Sequence, residues 1–186
     1  MQLFGNRKHL DSQEKEWIEG AKQGDRKSQK AIYDLLSGKM MAVCLRYMGD
    51  REAAEDILQD GFVTLFSKLD SYSGMGSFEG WARKIFVNTA LMSLRKHDVL
   101  RQSEDVDAAR DIVTPTPTAT QDIGYKELLK YISQLPPGYR IVFNMYVIEG
   151  YTHKEIAEEL GITEVTSRSQ LQRARMLLQA KIKNRH

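Results

Sequence analysis

The sequence predicts an all-α fold made of two small helical domains, a helical bundle and a helix-turn-helix unit, joined by a flexible linker. Three observations predict it. Apolar residues recur at three-to-four spacing through most of the chain, the period of a helix with one buried face. No stretch alternates apolar and polar residues as a half-buried strand does. Midway, Thr114-Pro115-Thr116-Pro117-Thr118 stops any helix, because proline lacks a donor and disfavours helix in the residue before it.

The elements follow in order. Asp11, with Glu14 three residues on, reads as a capped helix start, and Trp17, Ile18 and Ala21 supply its apolar side. Gly24-Asp25 breaks that helix. A second runs over residues 28–47 on Ala31, Ile32, Leu35, Leu36, Met40, Met41, Val43, Cys44 and Tyr47. Gly49-Asp50 stops it and caps a third, in which Ala54, Ile57, Leu58, Phe62, Leu65 and Phe66 face one way and the acids the other. Tyr72-Ser73-Gly74-Met75-Gly76-Ser77 is a loop, since two glycines and two serines in six residues punctuate strongly. Residues 78–97 are helical again, with Trp81, Ile85, Phe86, Ala90, Leu91 and Leu94. The pattern fails over residues 98–122, read as mostly extended linker. Helices over 125–135 and 140–149 then flank the Pro136-Pro137-Gly138 turn.

Residues 150–175 are the most informative. Thr152 caps a short helix with Glu155 as its capping-box partner, Ile156, Ala157 and Leu160 recur on one face, and Gly161 ends it. Thr163 caps a second helix that carries Arg168, Arg173 and Arg175 against the single acid Glu164. Helix, glycine turn and basic helix make the unit whose second helix fits a DNA major groove. Leu171, Ala174 and Leu178 should face the core and the arginines, Thr166, Ser169 and Gln172 outward. Arginine can pair two donors with guanine or with phosphate oxygens. The competing reading is an ordinary charged amphipathic helix; capping, turn and basic bias together favour DNA.

Two further segments carry chemistry. Around residues 72–96, the aromatics Tyr72, Phe78 and Trp81 precede a helix with Arg83, Lys84 and Asn88. Charge and exposed rings hold single-stranded nucleic acid, although spacing alone favours Phe78 and Trp81 as core residues. Residues 50–60 are acidic, with Glu52, Glu55, Asp56 and Asp60 spread over a helix surface. They have no metal-ligand arrangement; a basic protein partner competes with plain solvation.

Bulk properties narrow the classes. Net charge is only +2 in 186 residues, but basic and acidic blocks alternate, which points to separate surfaces for different partners. The single cysteine, Cys44, excludes a disulfide framework and a Cys-based zinc site. No apolar run reaches the length of a membrane span and the N-terminus is no signal peptide, so a cytoplasmic protein is expected. No phosphate loop, H-E-x-x-H or nucleophile elbow occurs. No catalytic residues, no metal, no cofactor and no small-molecule substrate are expected.

The residues also carry a resemblance. R-Y-M-G-D-R-E-A-A-E-D-I-L-Q-D-G-F-V-T-L-F and G-S-F-E-G-W-A-R-K-I-F-V-N-T-A-L-M-S-L-R-K in the first half, and L-P-P-G-Y-R-I-V-F-N-M-Y-V-I-E-G-Y-T-H-K-E-I-A-E-E-L-G-I in the second, resemble a bacterial extracytoplasmic-function (ECF) sigma factor of the sigma-70 family. The match runs over about residues 25–184, and its two signatures stand in the family's order and spacing. It implies region 2 over residues 1–98, a linker over 99–123 and region 4 over 124–186, with no region 3. It implies that Glu55, Asp56, Gln59 and Asp60 bind the beta-prime clamp helices of core RNA polymerase, with the beta flap as a second contact. Residues 71–77 would form the pocket for a flipped base. Phe78, Trp81, Arg83, Lys84 and Asn88 would lie at or near melted minus-10 DNA. Thr166, Arg168, Ser169, Gln172, Arg173 and Arg175 would read the minus-35 duplex, and the acidic linker would thread the polymerase cleft. A membrane-bound anti-sigma factor is a further partner expected by resemblance. The chain departs from the family at Met92, where many members have Asp, and at Val165 and Ser167, where many have Gly and an aliphatic. Val165 restricts the backbone at the helix start and Ser167 weakens core packing.

Two rivals differ in class. A stand-alone helix-turn-helix regulator with an N-terminal sensing domain would bind a duplex without polymerase. An enzyme with a helix-turn-helix appendage would need a reactive cluster.

Overall fold

A computed structural model describes residues 3–96 and 123–183, with side chains over 12–96 and 127–183. No strand occurs among the described residues. Four helices, α1 (Leu3–Lys22), α2 (Arg26–Met48), α3 (Arg51–Ser67) and α4 (Phe78–Lys96), build the N-terminal half, with a 3-10 turn at Leu69–Ser71. The C-terminal half holds α5 (Ile123–Ser133), α6 (Pro137–Phe143), a π-helical segment (Asn144–Ile148), α7 (His153–Leu160) and α8 (Glu164–Lys183).

Local chemistry sets most boundaries. The Asp25 carboxylate accepts from the Ser28 amide at 2.9 Å and opens α2. Gly49, at φ 71°, closes α2, and Asp50 opens α3 by accepting from the Ala53 amide at 2.9 Å. Thr152 and Glu155 make both halves of a capping box, and Gly161 at φ 66° turns the chain out of α7. Three boundaries differ from expectation. Helix α1 runs through Asp11 from Leu3, so Asp11 does not start it. Helix α6 begins at Pro137, whose fixed φ suits a first turn and whose missing donor costs nothing there. The expected helix over 140–149 changes to π form at Asn144. The expected linker over 98–122 lies outside the described residues.

The core of the N-terminal half is Ile32, Leu36, Met40, Phe62, Leu65, Phe86 and Leu91. Gly61 lets α3 and α4 close on each other, because a Cβ there would run into the Phe86 ring. In the C-terminal half Ile132 and Leu135 pack on Ala174 and Leu178. The N-terminal cluster also continues through Ile141, Val142, Met145, Ile156, Leu160 and Leu171. The halves are thus packed together, an arrangement not expected of two tethered modules.

The physical reason is the C-terminal end of α2. A helix leaves its last four carbonyls without helical partners and carries partial negative charge there. Leu45 O accepts from the Gly49 amide at 2.9 Å. The other three accept from the C-terminal half. The Asn144 side-chain amide donates to Arg46 O at 2.7 Å, and Arg140 donates to Tyr47 O at 3.0 Å and Met48 O at 2.9 Å. Arg140 also donates to Ser133 O and Leu135 O in its own half. Beside them Arg46 and Glu149 form an ion pair at 2.9 Å whose side chains are only 7% and 8% exposed.

Candidate nucleic-acid interface

Helix α8 buries one stripe of its surface, while Val165, Met176, Leu177 and Ile182 are exposed together with its polar residues. Ser167, Leu171, Ala174 and Leu178 are buried; Arg168, Ser169, Gln172, Arg173 and Arg175 are exposed, and Thr166 is half-buried. Thr163 caps the helix, accepting from the Thr166 amide at 3.0 Å, with the two hydroxyls 2.9 Å apart. Arg168 pairs with Glu164 at 2.8 Å, one turn back. Arg173 donates to the Tyr139 hydroxyl at 3.1 Å and lies over that ring at 6.0 Å. Arg175 lies over the Tyr146 ring, also at 6.0 Å. Residues 173 and 175 are about 200° apart around a helix, so two arginines on tyrosine platforms flank the outward face. Spacing along α8 could not reveal Tyr139 and Tyr146, because both belong to preceding elements.

The departures from the family pattern fit this helix. Val165 is exposed within regular α8. Ser167 gives up an aliphatic contact but is satisfied, its hydroxyl 2.9 Å from His153 Nδ1. The His153 ring stacks on Tyr146 with centroids 4.4 Å apart. Burial lowers the His153 pKa below its ordinary value, and the Arg168 charge adds to the effect.

The second surface lies on α4. Trp81, Lys84 and Asn88 recur at three and four residues and so share one stripe, with Lys84 and Asn88 exposed and Trp81 half-buried. Met92 extends the stripe and is exposed. Phe78 is only 1% exposed, so of the two readings open for it the core one, which spacing favoured, holds. Its ring packs on Tyr72 at 5.2 Å and on Trp81 at 5.7 Å, and Tyr72 meets Trp81 at 5.3 Å. Phe78 therefore holds up the two outer rings. Arg83 lies off the stripe and pairs with Glu79 at 3.3 Å. A hydrogen bond from Lys39 at 2.5 Å keeps the Glu79 pKa low, so that carboxylate stays charged toward Arg83. The loop before α4 is tied by the Tyr72 hydroxyl donating to Gly76 O at 2.9 Å, with Met75 exposed at its tip.

The third surface is the acidic face of α3. Asp56, Gln59 and Asp60 are exposed, and Glu55, half-buried, accepts from Arg51 at 2.8 Å. Val63, one turn beyond Gln59, adds an apolar residue that is 71% exposed. Among the described residues, no group of three or more His, Cys, Asp or Glu could hold a metal, and no helix is long and apolar enough to cross a membrane.

Comparison with known proteins identifies the family. The family described as Sigma-70 region 2 matches residues 32–99, and that described as Sigma-70, region 4 matches residues 125–178. The ECF RNA polymerase sigma-E factor of Haemophilus influenzae is 26% identical, over 89% of this chain and 93% of its own. The ECF RNA polymerase sigma factor SigW of Bacillus subtilis is 26% identical, over 91% of this chain and 97% of its own. Among solved structures, the sigma factor RpoE of Bartonella quintana, in complex with the anti-sigma factor NepR, shares the fold with a TM-score of 0.51. That match has 21% identity and covers 83% of this chain and 96% of that one. A stand-alone regulator would leave the region 2 match without a role. With both regions present in order and relatives matched over nearly their whole length, the chain belongs to the sigma-70 family and is an RNA polymerase sigma factor of the ECF group.

Proposed function

We propose how this sigma factor divides its task among its residues. Residues 1–98 act as region 2, residues 99–123 as the linker and residues 124–186 as region 4. The outward side of α8 enters the major groove of the minus-35 duplex. Arg168, Gln172 and Arg173 meet base edges or phosphates there, and Thr166, Ser169 and Arg175 position the helix on the backbone. What carries this reading is one stripe of α8: Ser167, Leu171, Ala174 and Leu178 are buried while the arginines stand in solvent.

On region 2, Trp81, Lys84 and Asn88 hold the melted non-template strand of the minus-10 element, with Arg83 adding charge and Phe78 supporting the rings from below. A flipped base costs a few kcal/mol of unstacking, which stacking and a basic groove offset. Glu55, Asp56, Gln59 and Asp60 dock on the beta-prime clamp helices, and region 4 on the beta flap. The chain performs no chemistry itself: it positions the polymerase, acting in the cytoplasm. The Bartonella quintana relative is bound to an anti-sigma factor, and we propose an inhibitor of that class for this chain too, held at the membrane.

Run-off transcription with core polymerase on genomic fragments tests the reading. Defined start sites that appear only when this chain is added support it. A chain that shifts a duplex at physiological salt but neither binds core polymerase nor starts transcripts would return the stand-alone regulator.

A further inference from the structure

We propose that Val165 is a specificity-determining residue of this sigma factor: its two methyl groups read the C5-methyl of a thymine in the minus-35 duplex. The inference rests on the reading that the outward side of α8 enters that major groove.

Position around the helix supplies the first argument. The buried residues Ser167, Leu171, Ala174 and Leu178 fix the inward direction of α8. At about 100° per residue, the opposite direction falls between Val165 and Ser169, with Gln172 beside them. Arg168 and Arg175 lie to one side of this line and Arg173 to the other. The foremost stripe is therefore uncharged, and the arginines flank it. A helix laid in a groove sets its foremost side chains over the base edges and its flanks against the phosphate walls. Val165 stands in the first turn of α8, the part of a recognition helix that meets base edges, and is 71% exposed.

The chemistry around Val165 supplies the second. The polar side chains at this end are engaged with the protein itself. The Thr163 and Thr166 hydroxyls are 2.9 Å apart, Arg168 donates to Glu164 at 2.8 Å, and the Ser169 hydroxyl donates to Thr166 O at 2.9 Å. The valine methyls are then the group this end offers to a base. In the major groove thymine is the base that presents a methyl, and apolar contact is how it is distinguished. Gln172 lies two turns on, about 10 Å along the axis, and its amide suits adenine, so the two residues address separate base pairs.

The cost of a valine here supplies the third. Valine is a weaker helix former than alanine, and at this exposure the core does not require it. In a helix its χ1 is held to one main rotamer, so meeting a methyl orders little that is not already ordered. The glycine that many family members carry at this place has no side chain to make the contact. The element this chain selects should therefore differ from theirs at one base pair.

The test uses holoenzyme, the full chain with core polymerase, and a duplex library randomised at the minus-35 element. In the selected duplex each thymine is replaced singly by deoxyuridine, which removes the C5-methyl and keeps every hydrogen-bonding group. Affinities are measured for the wild type, Val165→Ala and Arg173→Ala. Alanine favours the helix, so Val165→Ala keeps its fold, which circular dichroism checks. We expect one deoxyuridine position to weaken the wild type about fourfold, the worth of one buried methyl. Val165→Ala should bind the thymine and deoxyuridine duplexes equally. Arg173→Ala should bind both more weakly and keep the ratio between them. A selected element without thymine, no methyl dependence at any position, or a dependence that survives in Val165→Ala would each overturn the inference, while a selected sequence leaves the reading of α8 intact. If the library yields no preferred sequence at all, that reading falls and the inference with it.

Discussion

At the scale of single residues, the structure separates exposed side chains from the neighbours that hold them in place. Arg173 rests on Tyr139, so its guanidinium is pre-oriented before DNA arrives. Arg173→Ala should cost roughly 1–3 kcal/mol at one minus-35 position if the contact is to a base. Tyr139→Leu should weaken binding less and leave sequence preference unchanged. Both are read from competition with single-base variants of the duplex, and an unchanged preference in Arg173→Ala would remove it from the interface. His153 offers a pH-dependent counterpart. Its folded pKa is below the ordinary 6.5, so the native state holds fewer protons than the unfolded one between those values. The associated stability is complete above about 6.5 and is lost as pH falls below it toward the lowered value. The Tm loss from pH 7.5 to 5.5 should therefore be smaller in His153→Gln than in the wild type; equal losses would mean that the ring does not carry the effect. Neither Tyr139 nor Ser167 could be assigned these duties from spacing, because each acts through a partner on another helix.

At the scale of elements, helix ends set by neighbouring residues were legible, and those set at a distance were not. Asp25, Gly49-Asp50, Thr152 with Glu155, and Gly161 each act within four residues, and each marks a boundary where the sequence places one. Asp11 has the same signature, yet α1 passes through it; a cap residue ends a helix only if the chain before it is not itself helical. Spacing favoured Phe78 as a core residue but could not name its partners: Tyr72 and Trp81 lie on both sides of a loop, so a short window shows an aromatic cluster but not which ring is beneath. The Arg46–Glu149 pair spans 103 residues, and no local pattern links an arginine in an apolar run to that acid. The α3–α4 crossing is likewise non-local and depends on Gly61 against Phe86. Gly61→Ala should overpack it and destabilise the protein by about 1–3 kcal/mol, seen as a lower urea midpoint; an unchanged midpoint would mean that Phe86 can move aside. On the opposite face of α3, replacing Glu55 and Asp56 with Lys should abolish core-polymerase binding with helicity unchanged. Retained binding would refute the docking face.

At the scale of the whole molecule, two weak grips joined by one chain gain strength only while the chain can span them. Each DNA-binding half can be modest because the second contact, once the first is made, occurs at the effective concentration set by the tether. That arithmetic is asymmetric. Doubling the tether with Gly/Ser residues lowers the effective concentration by a factor of about three, since it falls as roughly the −3/2 power of length. Halving it to a reach of roughly 45 Å leaves the halves unable to meet two elements about 85 Å apart, even allowing for their own radii. The lengthened chain should therefore start transcripts at slightly reduced yield. The shortened chain should protect one promoter element, never both, and start none, although every contacting residue is intact. Run-off yield and footprinting on the same promoter read both outcomes. Full protection of both elements by the shortened chain would mean that the halves need not separate on DNA. The geometric case for separation would fall with it, while the chemistry on α8 and α4 would stand.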